Sequence, residues 1–424
     1  MALQGKNAEI SYDARSNFGA KGWWIVIFSA LNWYFYGGLV NSSMNTVVPQ
    51  LAERLGVNSG NLLSLSTPAG LVALVVCLFI GRLAAKRGLK LVNGILLILG
   101  AVAVVAWGNA TSVTAYTISL ICMVCLMNGV QLVGGNMSIT NWFPKKKGIA
   151  IGWATMGLNI SSASFVAILV ALTGILGGIK YALWVIAGCL VVLAIINFLF
   201  FKNYPEEWGA YPDNNPDLQR NESRMLNTGW TASKVLKQKE TWLMGIGTGL
   251  YGTITIGFVS TLIPSLMMKG YSQPQALMMM TIASVIGLAG SYACGWLDQK
   301  LGAQKSAILY GIFVVVGLIF YFLPGTVCTW VYLIMIGLSI GGSNNYPPSM
   351  TAQMFGRAGA VVAFPIVFFI KGVLCVIPYF ILGQSLALTG SYNVGWGIFI
   401  ALTIVAIIIF YVVDLSPKKD PIDE

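Results

Sequence analysis

Lys371 is a cation with no opposite charge near it in the sequence. It lies inside the apolar run 359–386, 12 residues from Gly359 and 15 from Leu386. On a helix rising about 1.5 Å per residue, that puts it roughly 18 Å from one end and roughly 22 Å from the other, farther than a lysine stem can snorkel. A lysine at the centre of a bilayer costs about 2.5–3.5 kcal/mol even on lenient insertion scales, so its retention points to an ion pair, an ion path or a ligand. The chain has 14 Asp and Glu, and none falls in the interior of an apolar run, Glu240 standing at the very edge of one. The charge inventory therefore leaves an anionic substrate as the partner of Lys371. A neutral, hydrogen-bonded lysine is the alternative.

Other residues in apolar runs offer hydrogen bonds without charge: Asn32, Tyr34 and Tyr36, then Gln131 and Asn136, then Tyr251, Ser291, Tyr292, Asn345 and Tyr346. These are the candidate substrate-binding residues beside Lys371. For each, plain interhelical hydrogen bonding is the competing role. With no His and no acid in the interior of a span, a proton relay lacks its usual carrier. That favours anion exchange or uniport over proton symport. One unpaired cation also suits a monoanion better than a dianion, whose second charge would enter uncompensated. Cys122 and Cys125 form a CxxC, but without His or a nearby acid no metal site is implied, and no cofactor either. Seven cysteines, nearly all in apolar stretches, do not make a disulfide framework.

These residues must be positioned by membrane helices. A chain of 424 residues that is 57% hydrophobic and 9% charged, with a mean hydropathy of +0.77, has too much apolar surface to hide in a water-soluble core. Apolar runs bounded by charges or turn residues predict twelve spans. Six run 22–48, 62–80, 91–107, 113–139, 148–173 and 181–201. Six more run 240–268, 274–297, 305–323, 328–352, 359–386 and 392–413. This predicts an all-α membrane protein with a tail at 1–21, six-helix bundles at 22–201 and 240–413, a linker at 202–239 and a tail at 414–424. Basic residues resist translocation. With the N-terminus inside, 21 of the 25 Lys and Arg fall on the cytoplasmic side and 3 outside, leaving Lys371. Topology thus accounts for the net charge of +11 without nucleic acid.

The two halves echo each other. Gly81, Leu83, Lys86 and Gly88 in GRLAAKRG recur as Gly295, Leu297, Lys300 and Gly302 in GWLDQKLG, each copy between the second and third helix of its half. Such repeats are characteristic of secondary transporters. Pairs four apart, Gly148 with Gly152, Gly245 with Gly249 and Gly337 with Gly341, predict close helix approaches.

GRLAAKRGLK resembles the loop signature of the major facilitator superfamily. NWFPKKKGIAIGWATMG at 141–157 and GGSNNYPPSMTAQMFG at 341–356 are similar to strings in its oxalate/formate antiporters and monocarboxylate transporters. The resemblance implies twelve helices in two pseudo-symmetric bundles with both termini cytoplasmic. It implies a gating role for Gly81, Arg82, Lys86, Arg87, Gly88, Gly295, Asp298, Lys300 and Gly302. The signature usually has an acid at its fifth position, where this chain has Ala85 and, in the second copy, Gln299. In the oxalate antiporter two cations grip a dicarboxylate; Lys371 matches one, and the other position falls near Ser291.

The sequence thus predicts a carrier, not an enzyme, that moves a small organic monocarboxylate by alternating access, most simply by exchange. A proton-coupled symporter and an exporter of amphipathic or aromatic compounds are the alternatives. The expected setting is a bacterial inner membrane, the expected partners are the anion and the lipid bilayer, and the expected working unit is a monomer.

Overall fold

Away from water, each backbone N–H and C=O must be paired within its own segment, so apolar tracts of this kind fold as helices. The computed structural model describes residues 17–143, 146–216 and 229–421. The first half holds α1 (Gly19–Val40), α2 (Val47–Leu55), α3 (Ser59–Ser64), α4 (Ser66–Arg87) and α5 (Leu89–Gly108). It continues with α6 (Val113–Val130), a π-helical stretch Gln131–Met137, α7 (Ser138–Trp142), α8 (Lys147–Leu176) and α9 (Ile179–Phe200). After short turns and α10 (Ala232–Leu236), the second half holds α11 (Lys239–Met268), α12 (Gln273–Leu301) and α13 (Ala303–Phe322). It ends with α14 (Thr326–Gly342), α15 (Tyr346–Cys375), α16 (Ile377–Thr389) and α17 (Asn393–Val412).

Among the described residues, 11 helical stretches are long and apolar enough to cross a membrane, and Thr326–Ile340 is a shorter apolar one. The short one marks where the predicted span 328–352 differs from the structure. Pro347 and Pro348 lack the N–H donors that a continuing helix needs, so α14 stops at Gly342 and α15 starts at Tyr346 with proline in its first turn. Residues 343–345 form a turn inside the bundle. A second break falls at Gly356, whose φ of 67° and ψ of 179° kink α15 into two helical pieces, and a third at Val376, where α15 gives way to α16 with Pro378 in the first turn.

The halves repeat each other in packing as in sequence. In the first, α1 packs on α8, α4 on α6 and α5 on α9; in the second, α11 packs on α15, α12 on α14 and α13 on α17. Gly88 and Gly302, the closing glycines of the repeated motif, adopt nearly the same conformation, φ 91° and ψ 145° against φ 80° and ψ 157°. Positive φ is strained for any residue with a Cβ, which explains glycine at both places. The close approaches only partly match the glycine pairs. Gly245 and Gly249 meet Ile370 and Leu374 of α15, and Gly337 meets the backbone of Ala283. Gly152 faces open space. The near contact of α8 with α1 comes at Gly157, where an added Cβ would fall 1.9 Å from the Ala30 carbonyl. A single side of α8 faces α1, and position 152 is off it.

The hydrogen bonds between the halves among the described residues lie away from one end. Call the end carrying Lys86, Arg87, Lys90, Lys300 and Lys305 the basic end. Among the described residues, eight hydrogen bonds cross between the halves, none of them near the basic end. Asn45 donates to the Val259 carbonyl at 2.7 Å and accepts from the Ile263 amide at 3.1 Å. Thr67 donates to the Val376 carbonyl at 2.6 Å, and Gln384 to Ser64 at 3.1 Å. Glycine allows the approach here too: a Cβ on Gly60 would lie 2.3 Å from the Gly383 carbonyl. The structure is closed at the end opposite the basic one.

Candidate substrate site

Lys371 lies about 9 residues, roughly 14 Å of helix, from the start of the apolar stretch Val362–Thr389. It is only 4% exposed. It has no carboxylate partner among the described residues, and its ammonium is held by neutral oxygens. Nζ donates to the Asn344 side-chain carbonyl at 2.6 Å and to the Ser343 backbone carbonyl at 3.2 Å. The Phe368 ring lies 5.7 Å away. The helix break before Pro347 supplies these partners, since only an interrupted helix leaves such a carbonyl unpaired within the membrane. The turn is braced by Ser343 against Thr255 at 3.3 Å and by the Asn345 amide donating to Gly342 at 3.1 Å. The other wall is glycine. A Cβ on Gly252 would sit 3.3 Å from Lys371 Cε, and one on Gly249 would sit 3.2 Å from Lys371 Cα.

The other basic residues away from the basic end are tied down differently. Arg54 caps α5, donating to the carbonyls of Gly108 and Ala110 at 2.8 and 3.0 Å. Lys180 stacks on Tyr181. Lys269 donates to the Tyr321 carbonyl and lies over its ring, and partial burial lowers its pKa from the usual lysine range. All three sit at or beside helix ends, Lys180 next to the first residue of Ile179–Phe200; Lys371 alone of these four lies deep inside a span.

The structure distributes the remaining candidates among several places. Tyr251 and Tyr346 are buried on the α13 side. Tyr251 donates to the Ala307 carbonyl at 2.7 Å, Tyr346 pairs with Ser306 at 3.2 Å, and both rings pack on Tyr310. Asn32 donates to the Phe28 carbonyl and receives Asn93, which also donates to Asn197, so it belongs to a network tying α1, α5 and α9. Tyr34 pairs with Ser164 at 3.2 Å within the first half. Tyr36 is half-buried and packs edge-on against the Trp33 ring at 5.8 Å. Gln131 and Asn136 lie in the π-helical stretch, a geometry often found at functional sites. Neither side chain makes a hydrogen bond among the described residues, and Gln131 is 9% exposed. Asn345 is half-buried in the break. The side chains of Ser291 and Tyr292 lie outside the described residues.

The gating candidates sit at the basic end, with no hydrogen bond across it among the described residues. Arg82, Lys86 and Arg87 are exposed, Gly81 adjoins Leu132 and Gly295 faces open space. Lys300 lies 4.2 Å over the Trp296 ring, and the Asp298 backbone carbonyl accepts from the Gly302 amide. Both partners of Lys371 lie outside the sequence-derived candidates, Ser343 because a backbone carbonyl has no sequence signature and Asn344 although its neighbours Asn345 and Tyr346 are among them. The adjacent Pro347 and Pro348 were the available signal for both Ser343 and Asn344.

The family model described as Major Facilitator Superfamily matches residues 123–377. Among solved structures, the chain is similar to a bacterial homologue of the human lysosomal transporter Spinster in its inward-facing, unoccupied conformation. The identity is 13%, the TM-score 0.74, and the match covers 93% of this chain and 97% of that one. It is also similar to the nucleoside transporter NupG at 14% identity and TM-score 0.68, over 94% of this chain and 99% of that one. Identities this low show a shared fold alone. No curated protein sequence matches.

Proposed function

Because the chain belongs to the major facilitator superfamily, a family of membrane transporters, we propose that it carries a small organic monocarboxylate, with Lys371 as the counter-ion. The supporting observation is the setting of Lys371: buried within a span, without a carboxylate partner among the described residues, and held by the neutral oxygens of Ser343 and Asn344. An ammonium so placed is short of negative charge, and one carboxylate supplies it. A dianion would bring a second charge with no cation to meet it.

The same imbalance favours exchange. The empty carrier holds an uncompensated buried cation, which is costly to seal away from water. The loaded carrier holds a neutral pair and occludes more easily. Return in the loaded form is therefore faster, which is the defining behaviour of an exchanger. With the basic end in the cytoplasm of a bacterial inner membrane, the joined end faces outward and this conformation opens inward. A single chain contains both halves, so the reading requires no second copy.

The test is uptake into proteoliposomes carrying a trapped pH dye. We expect labelled lactate or benzoate to enter only vesicles preloaded with unlabelled monocarboxylate, without acidification. Uptake into empty vesicles accompanied by acidification would instead establish proton symport and overturn the exchange reading.

A further inference from the structure

We propose that Asn344 is the second prong of the substrate site. Its amide nitrogen donates to one carboxylate oxygen while the remaining N–H of Lys371 donates to the other. This rests on the assignment of Lys371 as counter-ion.

An ammonium has three N–H donors and accepts nothing. Two are engaged, by the Ser343 carbonyl and the Asn344 side-chain oxygen, and one is left. Facing a pure donor at 2.6 Å, Asn344 must present Oδ1, which fixes the orientation of its amide. Nδ2 therefore points away from Lys371. It has no hydrogen-bond partner among the described residues, and Asn344 is exposed whereas Lys371 is buried. The pair thus offers two neighbouring donors, one charged and one neutral, with access from the Asn344 side. A carboxylate has two oxygens to fill that arrangement. A carboxamide has one, and its NH₂ would face the amide donor of Asn344.

The position of Asn344 in the break matters. It is between α14 and α15, where Ser343 is fixed by Thr255. The turn holds the two donors in register with each other independently of either helix face. Charge recognition and shape recognition are thereby divided between Lys371 and Asn344.

The experiment uses the full chain in proteoliposomes with benzoate and lactate as monoanions, oxalate as a dianion and benzamide as a neutral isostere. Asn344→Leu should raise the KM for benzoate exchange about tenfold or more, as loss of a charge-assisted hydrogen bond does, with little change in Vmax. Asn344→Gln should recover part of it. Asn344→Asp places a carboxylate directly on Lys371. It should raise the apparent Tm of the purified protein in the absence of anion and abolish the further rise that benzoate gives the parent protein. A KM unchanged by Asn344→Leu, or an Asn344→Asp protein that still responds to benzoate, would overturn the proposal. Should Asn344→Leu fail to fold, the Asn344→Asp thermal shift decides alone. Lys371→Gln is measured in parallel. If it leaves exchange intact, the assignment of Lys371 has failed; if it abolishes exchange while Asn344→Leu leaves KM unchanged, only the role of Asn344 has.

Discussion

The Tyr379 hydroxyl donates to the Asn41 side-chain oxygen at 2.7 Å, bonding the second half to the first eight residues beyond Lys371 in the sequence. The same hydroxyl lies 3.2 Å from the Val40 carbonyl. Thr67, bonded to Val376 and to the Phe380 amide, fixes the chain between Lys371 and Tyr379. The closed end is therefore anchored on the α15–α16 break, the segment that follows Lys371, so opening that end must move the surroundings of the lysine.

Tyr379→Phe removes these hydroxyl bonds and keeps the ring. At about 0.5–1.5 kcal/mol for the neutral hydrogen bond that one O–H donates, the conformational balance should shift toward opening of this end by roughly twofold to tenfold. Spin labels replacing the exposed residues Asn58 and Leu388 report it directly. The variant should populate longer distances than the parent, and an unchanged distribution would show that the bond does not hold the gate.

Gly252 and Cys375 form a testable pair. A Cβ at Gly252 would fall 2.5 Å from Cys375 Sγ, beyond tolerance, and 3.3 Å from Lys371 Cε. Gly252→Ala should therefore cost about 1–3 kcal/mol of stability through overpacking and raise the substrate KM by displacing Lys371. Removing the sulfur with Cys375→Ala in the same protein should restore most of both. Thermal unfolding and exchange kinetics of the single and double variants provide the check.

Glu240 is buried at the start of α11 and pairs with Lys418 at 3.2 Å, and Lys418 also donates to Gln238 at 2.8 Å. The Lys418 backbone amide reaches the Met354 carbonyl of α15 at 2.8 Å, so the C-terminal segment ties α11 to α15 at the basic end. Lys418→Met strands a buried carboxylate and should destabilise by about 1–3 kcal/mol. Glu240→Gln should cost less, and adding it to Lys418→Met should recover part of the loss. Apparent Tm values for the three variants test this, and strict additivity would show no coupling.

The helical architecture was legible because hydropathy and basic-loop patterning are the dominant constraints on a membrane chain, and the repeated glycines at 88 and 302 carry the same backbone demand. Lys371 was legible because a lone charge in an apolar run stands out without any structure. The break at residues 343–345 was signalled by Pro347 and Pro348, yet a hydropathy window reads through two prolines and gives one span where the structure has α14 and the part of α15 before its kink at Gly356. The roles of Tyr251, Tyr346 and Asn32 were not legible. A polar side chain in a membrane helix looks the same in sequence whether it faces a cavity or a neighbouring carbonyl, and only packing distinguishes them. Asn41 and Asn45 have the same ambiguity, and the structure places both in the closed end.

The most direct test of the central claim is counterflow by Lys371→Gln and Lys371→Arg proteins in vesicles preloaded with a monocarboxylate. Glutamine keeps the hydrogen bonding and removes the charge, whereas arginine keeps the charge and alters the geometry. Lys371→Gln should abolish counterflow of benzoate and lactate while the protein remains folded, and Lys371→Arg should retain a measurable fraction with a raised KM. Undiminished counterflow of those anions by Lys371→Gln would contradict it.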